Sequence, residues 1–168
     1  MISPELVRKY SFSAGLSEEQ IIALAKTGTE IDVPADEILF REGDRLCCVY
    51  VVVRGAVAIN IAVPTSEASK SVAEQITGEM PTADVTISMV GTGEVFAWSA
   101  LVEPYQATAS AMAITPCKLL AFNCDKLREA FLDDCNFGYK MMQSTIKIAR
   151  DRLRDTRIEA LALAAEKH

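Results

Sequence analysis

Residues 30–63 read EIDVPADEILFREGDRLCCVYVVVRGAVAINIAV, and this stretch decides the fold. Short runs of β-branched and apolar residues alternate in it with residues that favour turns. The turn residues are Pro34, Gly43, Asp44 and Gly55. Strands of four to eight residues, interrupted in this way, are typical of an antiparallel sandwich or barrel.

Helical patterns flank the strand-like region on both sides. Ser17 is predicted to cap an N-terminal helix that Gly28 ends. Further strand-like runs at residues 85–90, 107–114 and 117–122 precede a short helix and then the longest helical run of the chain. Because strands and helices occupy separate blocks, we expect an α+β fold that is mainly β.

We expect this fold to be a single domain over residues 1–168. It is an antiparallel β jelly roll, or double-stranded β-helix, at residues 30–122, with N-terminal helices at 1–29 and C-terminal helices at 123–168. Residues 64–84 are polar and without a clear period, so they are interpreted as a long loop or an extended hairpin tip.

Composition excludes several classes of function. The 17 basic and 23 acidic residues give a net charge of −6 and a pI near 4.9, so sequence-independent nucleic-acid binding is not expected. No apolar run approaches the ~18 residues of a spanning helix, and no secretory signal begins the chain. A soluble, cytoplasmic protein that contacts neither membrane nor nucleic acid is predicted.

The cysteines and histidines argue against a disulfide framework, a metal site and catalysis. The five cysteines are odd in number and lack C-x-x-C spacing, and the one histidine is the terminal His168. A Ser–His or Cys–His nucleophile would therefore lack its usual base, and a cupin-like metal site would lack its ligands. We predict no catalytic residue, no metal and no enzyme activity.

Three segments in order carry a resemblance to a known family. They are PADEILFREGD (34–44), YVVVRGAV (50–57) and GEVFAWSALV (93–102), followed by QATA (106–109). This spacing resembles the cyclic-nucleotide-binding domain family, which includes bacterial catabolite-activator-type regulators and kinase regulatory subunits. The resemblance implies a jelly roll whose phosphate-binding cassette corresponds to residues 93–109, which we call the cassette segment.

The resemblance also implies that the binding chemistry has changed. The family pattern is G-E-x-F-G-E-x-A-L followed by P-R-[ST]-A, with a Glu for the ribose, an Arg for the phosphate and a hydroxyl after that Arg. Ala97 stands at the helix-start Gly, Trp98 at the Glu, Gln106 at the Arg and Ala107 at the hydroxyl position. Glu94 matches a residue of the frame that is not the ribose ligand.

A count of charges along the chain supports the same interpretation. No Lys, Arg or His occurs between Lys70 and Lys118, while Glu103 lies inside the cassette segment. An anion held here is expected to rely on backbone N–H groups, on Ser99 and on the Gln106 amide. Charged hydrogen bonds contribute about 1.5–3 kcal/mol each, so losing the Arg and the Glu predicts binding weakened roughly 10²-fold to 10⁴-fold.

Trp98 has two interpretations. Its ring stacks a purine, or it fills the pocket as part of the core beside Phe96 and Leu101, which is the interpretation we favour. The candidate ligand-binding residues are Phe96, Ala97, Trp98, Ser99, Ala100, Gln106, Ala107, Thr156 and Arg157. Thr156 and Arg157 enter by resemblance, because family members contact the base from this helix.

The long C-terminal helix carries an apolar stripe with steps of four and three residues over three heptads. The stripe consists of Met142, Ile146, Ala149, Leu153, Thr156, Ala160 and Leu163. The resemblance implies a parallel homodimer through this seam, whereas the alternative is that the stripe packs on its own jelly roll. Catabolite-type activators continue into a helix-turn-helix, which this sequence lacks, so output through a partner chain or through the dimer itself is expected.

Two functions remain open at this stage. The first is a non-enzymatic regulatory module with a degenerate pocket, which acts through protein contacts or a non-standard ligand and has no resident cofactor. The alternative is a cAMP or cGMP receptor that binds through backbone N–H groups and Gln106.

Overall fold

Two four-stranded sheets carry the fold in residues 1–64 and 82–165, the part of the chain that the computed structural model describes. One sheet has the order β1-β8-β3-β6 and the other β2-β7-β4-β5. The strands are β1 (Gly28–Val33), β2 (Ile38–Phe40), β3 (Cys48–Arg54), β4 (Val57–Pro64), β5 (Thr82–Val90), β6 (Val95–Phe96), β7 (Ser110–Ala113) and β8 (Cys117–Asn123). The predicted α+β jelly roll is confirmed.

The antiparallel pairing of β4 and β5 favours the second interpretation of residues 64–84, an extended hairpin, over a long loop. Pro64 ends β4 and pairs with Thr82, and Thr82–Asp84 already belong to β5, so both ends of the expected loop are strand. The register shifts between Ile59 and Asn60, which marks a bulge. The remaining residues of this prediction, 65–81, lie outside the described part of the chain.

An apolar cluster lies in the interior of the β unit, residues 30–121. Its buried members alternate along the strands because successive side chains of a strand point to opposite faces. They are Val33, Val52, Val57, Val90, Phe96, Ala111, Ala113, Cys117 and Leu119. This core holds the strands that flank the cassette segment.

Gly55 is required for two independent reasons. Its φ of +99° lies in the left-handed region that favours glycine. In addition, a Cβ at this position would lie 2.7 Å from the Cys117 Sγ and 2.7 Å from the Pro116 carbonyl oxygen. The turn that the sequence marks with Gly55 therefore also permits a close approach of two chain segments.

The helical unit comprises residues 1–29 and 122–168. In its described residues the α-helices are α1 (Pro4–Val7), α2 (Glu18–Thr27), α3 (Cys124–Asp133) and α4 (Cys135–Ala165), and Ser11–Ser13 form a 3₁₀ turn. Ser17 caps α2 as predicted, because its side chain accepts a hydrogen bond from Gln20 N at 3.3 Å. Asn123 caps α3 in the same way, through Lys126 N at 3.0 Å.

Gly28 ends α2 as predicted, but for a different reason from a left-handed cap. Its φ is −95°, an ordinary extended value. A Cβ here would lie 2.6 Å from Ile2 Cδ1 and 3.1 Å from Phe122 Cε1. Close packing therefore requires glycine at this position.

The side chain of Gln20 links two helices that are distant in sequence. Its Nε2 donates to Asp134 Oδ2 at 2.9 Å, and its Oε1 accepts from Ser17 N at 3.1 Å and Lys140 Nζ at 3.3 Å. Asp134 Oδ1 accepts from Phe137 N at 3.0 Å and so caps α4. These contacts lower the pKa of Asp134 below its ordinary value, with the Gln20 hydrogen bond as the largest cause.

Candidate functional site

The cassette segment begins with a two-residue strand and a tight turn. Phe96 ends β6 and is buried, and Trp98–Leu101 form a single 3₁₀ turn. Between them Ala97 has φ 61° and ψ 27°, which is the left-handed conformation. The family pattern has Gly here, and this chain keeps the conformation that Gly would adopt while carrying a Cβ. Such a residue costs of order 1–3 kcal/mol, so the surrounding structure enforces this turn.

Two backbone N–H groups at the 3₁₀ turn donate to carbonyl oxygens of the same segment. Ala100 N donates to the Ala97 carbonyl oxygen at 3.0 Å, and Val102 N donates to the Ser99 carbonyl oxygen at 3.2 Å. Ala100 is fully buried and Ser99 is half-buried. Of the predicted ligand-binding N–H groups, that of Ala100 is therefore already bonded within the turn.

Glu94 belongs to the frame of the segment. Its Oε2 accepts a hydrogen bond from Gly91 N at 2.6 Å, closing the turn that precedes β6. The side chain that matches the family thus stabilises the turn that connects β5 of one sheet to β6 of the other.

Three aromatic rings stack inside the β unit next to this turn. Tyr50 of β3 pairs with Phe96 of β6, and their ring centroids lie 5.1 Å apart with 17° between the planes. Phe40 of β2 stacks on both, at 6.3 Å from Phe96 and 6.4 Å from Tyr50. Offset stacking of this kind stabilises a pair by about 0.5–1.5 kcal/mol beyond area burial. This stack is defined by Phe40, Tyr50 and Phe96 and connects both sheets.

Trp98 is half-buried on the 3₁₀ turn. Within residues 1–64 and 82–165 the aromatic partners of Phe96 are Phe40 and Tyr50, and Trp98 forms no ring pair. The two rings that stack on Phe96, those of Phe40 and Tyr50, are thus ones that sequence reasoning did not select. The role of Trp98 toward a ligand stays a prediction.

The second half of the cassette segment forms a short ladder with residues 43–46. Leu46 N donates to the Tyr105 carbonyl oxygen, and Ala107 N donates to the Asp44 carbonyl oxygen, both at 2.8 Å. Between these bonds Arg45 and Gln106 are antiparallel partners. Because the bonds flank this pair, it is the non-hydrogen-bonded kind, in which the facing side chains approach most closely.

Arg45 corrects the expectation that the cassette segment has no cation nearby. The count along residues 71–117 is accurate, but the ladder brings Arg45 opposite Gln106 across 61 positions of sequence. Both side chains are exposed, whereas their neighbours Leu46 and Ala107 are buried. An anion at Gln106 therefore has a guanidinium on the adjacent strand within reach.

Thr156 and Arg157 lie on α4, in the helical unit, and both are exposed. The Thr156 hydroxyl donates to the Arg152 carbonyl oxygen at 2.9 Å. Their predicted contact with a base remains a prediction. Three seam residues with large side chains on the same helix are exposed as well: Ile146 is 69%, Leu153 51% and Leu163 63% exposed. Met142, at the start of the seam, is half-buried.

In residues 1–64 and 82–165, no three His, Cys, Asp or Glu side chains come together in a way that could hold a metal ion. None of the helices there is both long enough and apolar enough to cross a membrane.

Sequence and structure comparisons place this geometry among known proteins. A sequence model of the cyclic nucleotide-binding domain matches residues 30–134. The fold is similar to that of a candidate cyclic nucleotide-binding protein from Geobacter metallireducens GS-15, with 27% identity, a TM-score of 0.72, and coverage of 91% of this chain and 99% of that one. No curated protein matches the sequence.

Two further solved structures share the fold at lower identity. A cyclic nucleotide-binding domain from Methylobacillus flagellatus KT has 20% identity, a TM-score of 0.73, and coverage of 94% of this chain and 80% of that one. The catabolite activator protein of Thermus thermophilus has 20% identity, a TM-score of 0.64, and coverage of 96% and 63%. At these identities the likeness concerns the fold alone.

The jelly roll, with its 3₁₀ turn between β6 and β7, has the architecture of a family of domains that is mainly regulatory. The chain belongs to the cyclic nucleotide-binding domain family.

Sequence reasoning missed Arg45, Phe40 and Tyr50. The two aromatic residues did carry a signal, because each stands within a predicted strand among apolar residues. Arg45 carried none, since its pairing with Gln106 depends on the register between distant segments.

Proposed function

We propose that this protein is a non-enzymatic regulatory module of its family that does not bind cAMP or cGMP in the family's standard pose. It acts in the cytoplasm through protein contacts or through a non-standard ligand. The observation that carries the proposal is the set of side chains at the cassette positions: Trp98, Gln106 and Ala107 stand where the family has Glu, Arg and a hydroxyl.

The stack of Phe40, Tyr50 and Phe96 supports the same proposal. Phe96 is buried and Phe40 and Tyr50 are half-buried, and the faces of their rings present apolar surface that favours neither a ribose nor a phosphate. The retained left-handed turn indicates that the frame of a binding segment persists while its polar contacts have changed.

Isothermal titration of the full chain with cAMP and cGMP tests the proposal. Loss of both charged partners predicts a Kd in the millimolar range, and binding tighter than about 10 μM contradicts the proposal. The double variant Trp98→Glu with Gln106→Arg is expected to bind cAMP roughly 10²-fold or more tightly than the native chain. A matched neutral pair, Trp98→Gln with Gln106→Met, is the control and is expected to gain nothing.

The position of Arg45 affects the design of this experiment. In Gln106→Arg two guanidinium groups would face each other across the ladder, and like charges directly opposite destabilise a strand pair. The variant is therefore compared with the native chain for thermal stability before titration. An anion bound between the two charges would recover the lost stability.

We also infer that two copies associate through the stripe on α4 and that the module signals through a protein partner. The support is the exposure of Ile146, Leu153 and Leu163, since apolar side chains this open on one helix face are typical of an interface.

A further inference from the structure

We infer that Arg45 supplies the positive charge of the cassette segment, and that Arg45 and Gln106 together bind an oxyanionic group of a ligand, a phosphate or a carboxylate. The inference rests on the proposed function, because it concerns the non-standard ligand of that module. It assigns a cation to a segment that has none of its own between residues 71 and 117.

The backbone places the side chains of Arg45 and Gln106 close enough to contact one anion. Arg45 and Gln106 face each other as a non-hydrogen-bonded antiparallel pair, fixed by the two 2.8 Å bonds on either side. Facing Cβ atoms in such a pair lie about 4.5–5.5 Å apart, well within the length of either side chain. A guanidinium and a primary amide can therefore donate to the same anion from neighbouring strands.

Among the described residues, no carboxylate forms a salt bridge that would compete with a ligand for the Arg45 guanidinium. Strand alternation turns the adjacent Asp44 away from Arg45, and Asp44 Oδ2 accepts from Arg41 N at 2.8 Å. The salt bridges between described residues involve Arg8, Lys118, Arg128 and Arg150 and leave Arg45 without a carboxylate partner. Its charge is thus available to an incoming anion.

Hydrogen bonds and buried neighbours hold the backbone on both sides of the Arg45–Gln106 pair. Gly43 N donates to the Ala107 carbonyl oxygen at 2.8 Å, so a third bond extends the ladder. Leu46 and Ala107 are buried and fix the backbone on both sides of the pair. The backbone is therefore ordered before a ligand arrives, which lowers the entropic cost of binding.

The chemistry of the pair selects the ligand class. Arg donates two parallel N–H groups to a carboxylate or a phosphate, and the Gln amide adds another donor without a charge. The guanidinium has no acceptor and repels cations, so the pair favours an anion. The expected ligand is therefore a small molecule with an exposed oxyanion.

NMR titration of the full chain with inorganic phosphate, and separately with acetate, tests the inference. We expect millimolar binding of at least one anion, with shifts at the Arg45 backbone amide and the Gln106 side-chain amide. The anion that binds with the higher affinity shows whether the ligand carries a phosphate or a carboxylate. Titrations at low ionic strength limit screening of these exposed groups.

Two variants of exposed arginines give the decisive comparison. Arg45→Gln is expected to weaken the anion about 10-fold to 10²-fold, as the loss of one charged hydrogen-bonding group predicts. Arg41→Gln, four residues earlier on the same loop, removes an equal charge and is expected to change affinity less than about 2-fold. Equal weakening by both variants, or the absence of any shift at Gln106, would overturn the inference.

The outcome is separable from that of the proposed function. Tight binding of cAMP by the native chain defeats the proposed function even if Arg45→Gln abolishes phosphate binding. Conversely, equal effects of Arg45→Gln and Arg41→Gln defeat the role of Arg45 while cAMP still fails to bind.

Discussion

The rings of Tyr50 and Phe96 stack at 5.1 Å across the β3–β6 pair, with 17° between their planes. This contact joins the longer strand to the two-residue strand that begins the turn at Ala97. Through Phe40 the stack reaches the second sheet. The stability of the β unit and the position of the cassette segment therefore depend on the same three side chains.

Phe96→Ala is expected to destabilise the protein by about 3–5 kcal/mol, because it removes a buried ring and leaves a cavity. Phe96→Leu keeps most of the volume and is expected to cost about 1.5 kcal/mol or less. Urea unfolding, followed by circular dichroism, measures both. A cost for Phe96→Ala no larger than that of Phe96→Leu would show that the buried volume of the Phe96 side chain does not stabilise the fold.

Ala97→Gly is expected to stabilise the protein by about 0.5–1 kcal/mol. Glycine adopts the left-handed φ of 61° without the strain that the Ala97 Cβ causes. It also raises the entropy of the unfolded chain, but the free-energy cost of that entropy is smaller than the strain removed. Ala100→Gly is the matched control, since Ala100 lies in the adjacent 3₁₀ turn and is fully buried. It is expected to destabilise by about 1–2 kcal/mol through the lost methyl group and helix propensity. A melting temperature that shifts in the same direction for both variants would contradict the assignment of strain to Ala97.

Asp134→Asn is expected to lower stability at neutral pH and to have little effect in acid. The pKa of Asp134 in the folded protein lies below the ordinary 3.8, chiefly because Gln20 and then Phe137 N donate hydrogen bonds to the carboxylate. A depressed pKa means that this stabilisation is complete above pH 3.8 and is lost as pH falls through the folded-state pKa.

Urea unfolding of Asp134→Asn and the native chain, at neutral pH and again at about pH 3, measures this dependence. The exposed neighbour Asp133→Asn serves as the control for a change of net charge. A difference between Asp134→Asn and the native chain that stays constant over this range would mean that the charge of Asp134 is not the stabilising feature.

Leu153→Glu is expected to convert the proposed homodimer into a monomer, because it places a charge in the apolar seam of α4. Ile158→Glu is the matched control: it has almost the same exposure, 54% against 51%, and lies about 140° away around the helix. Sedimentation velocity distinguishes the two species. A monomeric native chain, or equal effects of both variants, would contradict a dimer through this stripe.

Much of the fold followed from local chemistry. Ser17 and Asn123 cap helices because a short polar side chain there accepts a backbone N–H, whatever the rest of the chain does. The turn at Gly55 is likewise visible in the sequence, although its approach to Cys117 is not. The family resemblance placed the cassette segment because its turn residues keep a fixed spacing.

The candidate site was less predictable, since its contacts join segments that are remote in sequence. The count of charges from Lys70 to Lys118 described the cassette segment alone and missed Arg45. Trp98 drew attention because of its residue type, yet the rings that stack on Phe96 are Phe40 and Tyr50. In both cases the missing information is strand register, which a single sequence specifies only through the whole core.

The sequence by itself determined the order of strands and helices, their caps and the replaced cassette residues, because each of these depends on neighbours within a few positions. The tertiary structure alone decided that Arg45 lies opposite Gln106 and that the Gln20 side chain donates a hydrogen bond to Asp134. Those partners lie 61 and 114 positions apart in the sequence, so only folding places Arg45 opposite Gln106 and brings Gln20 Nε2 to 2.9 Å from Asp134 Oδ2.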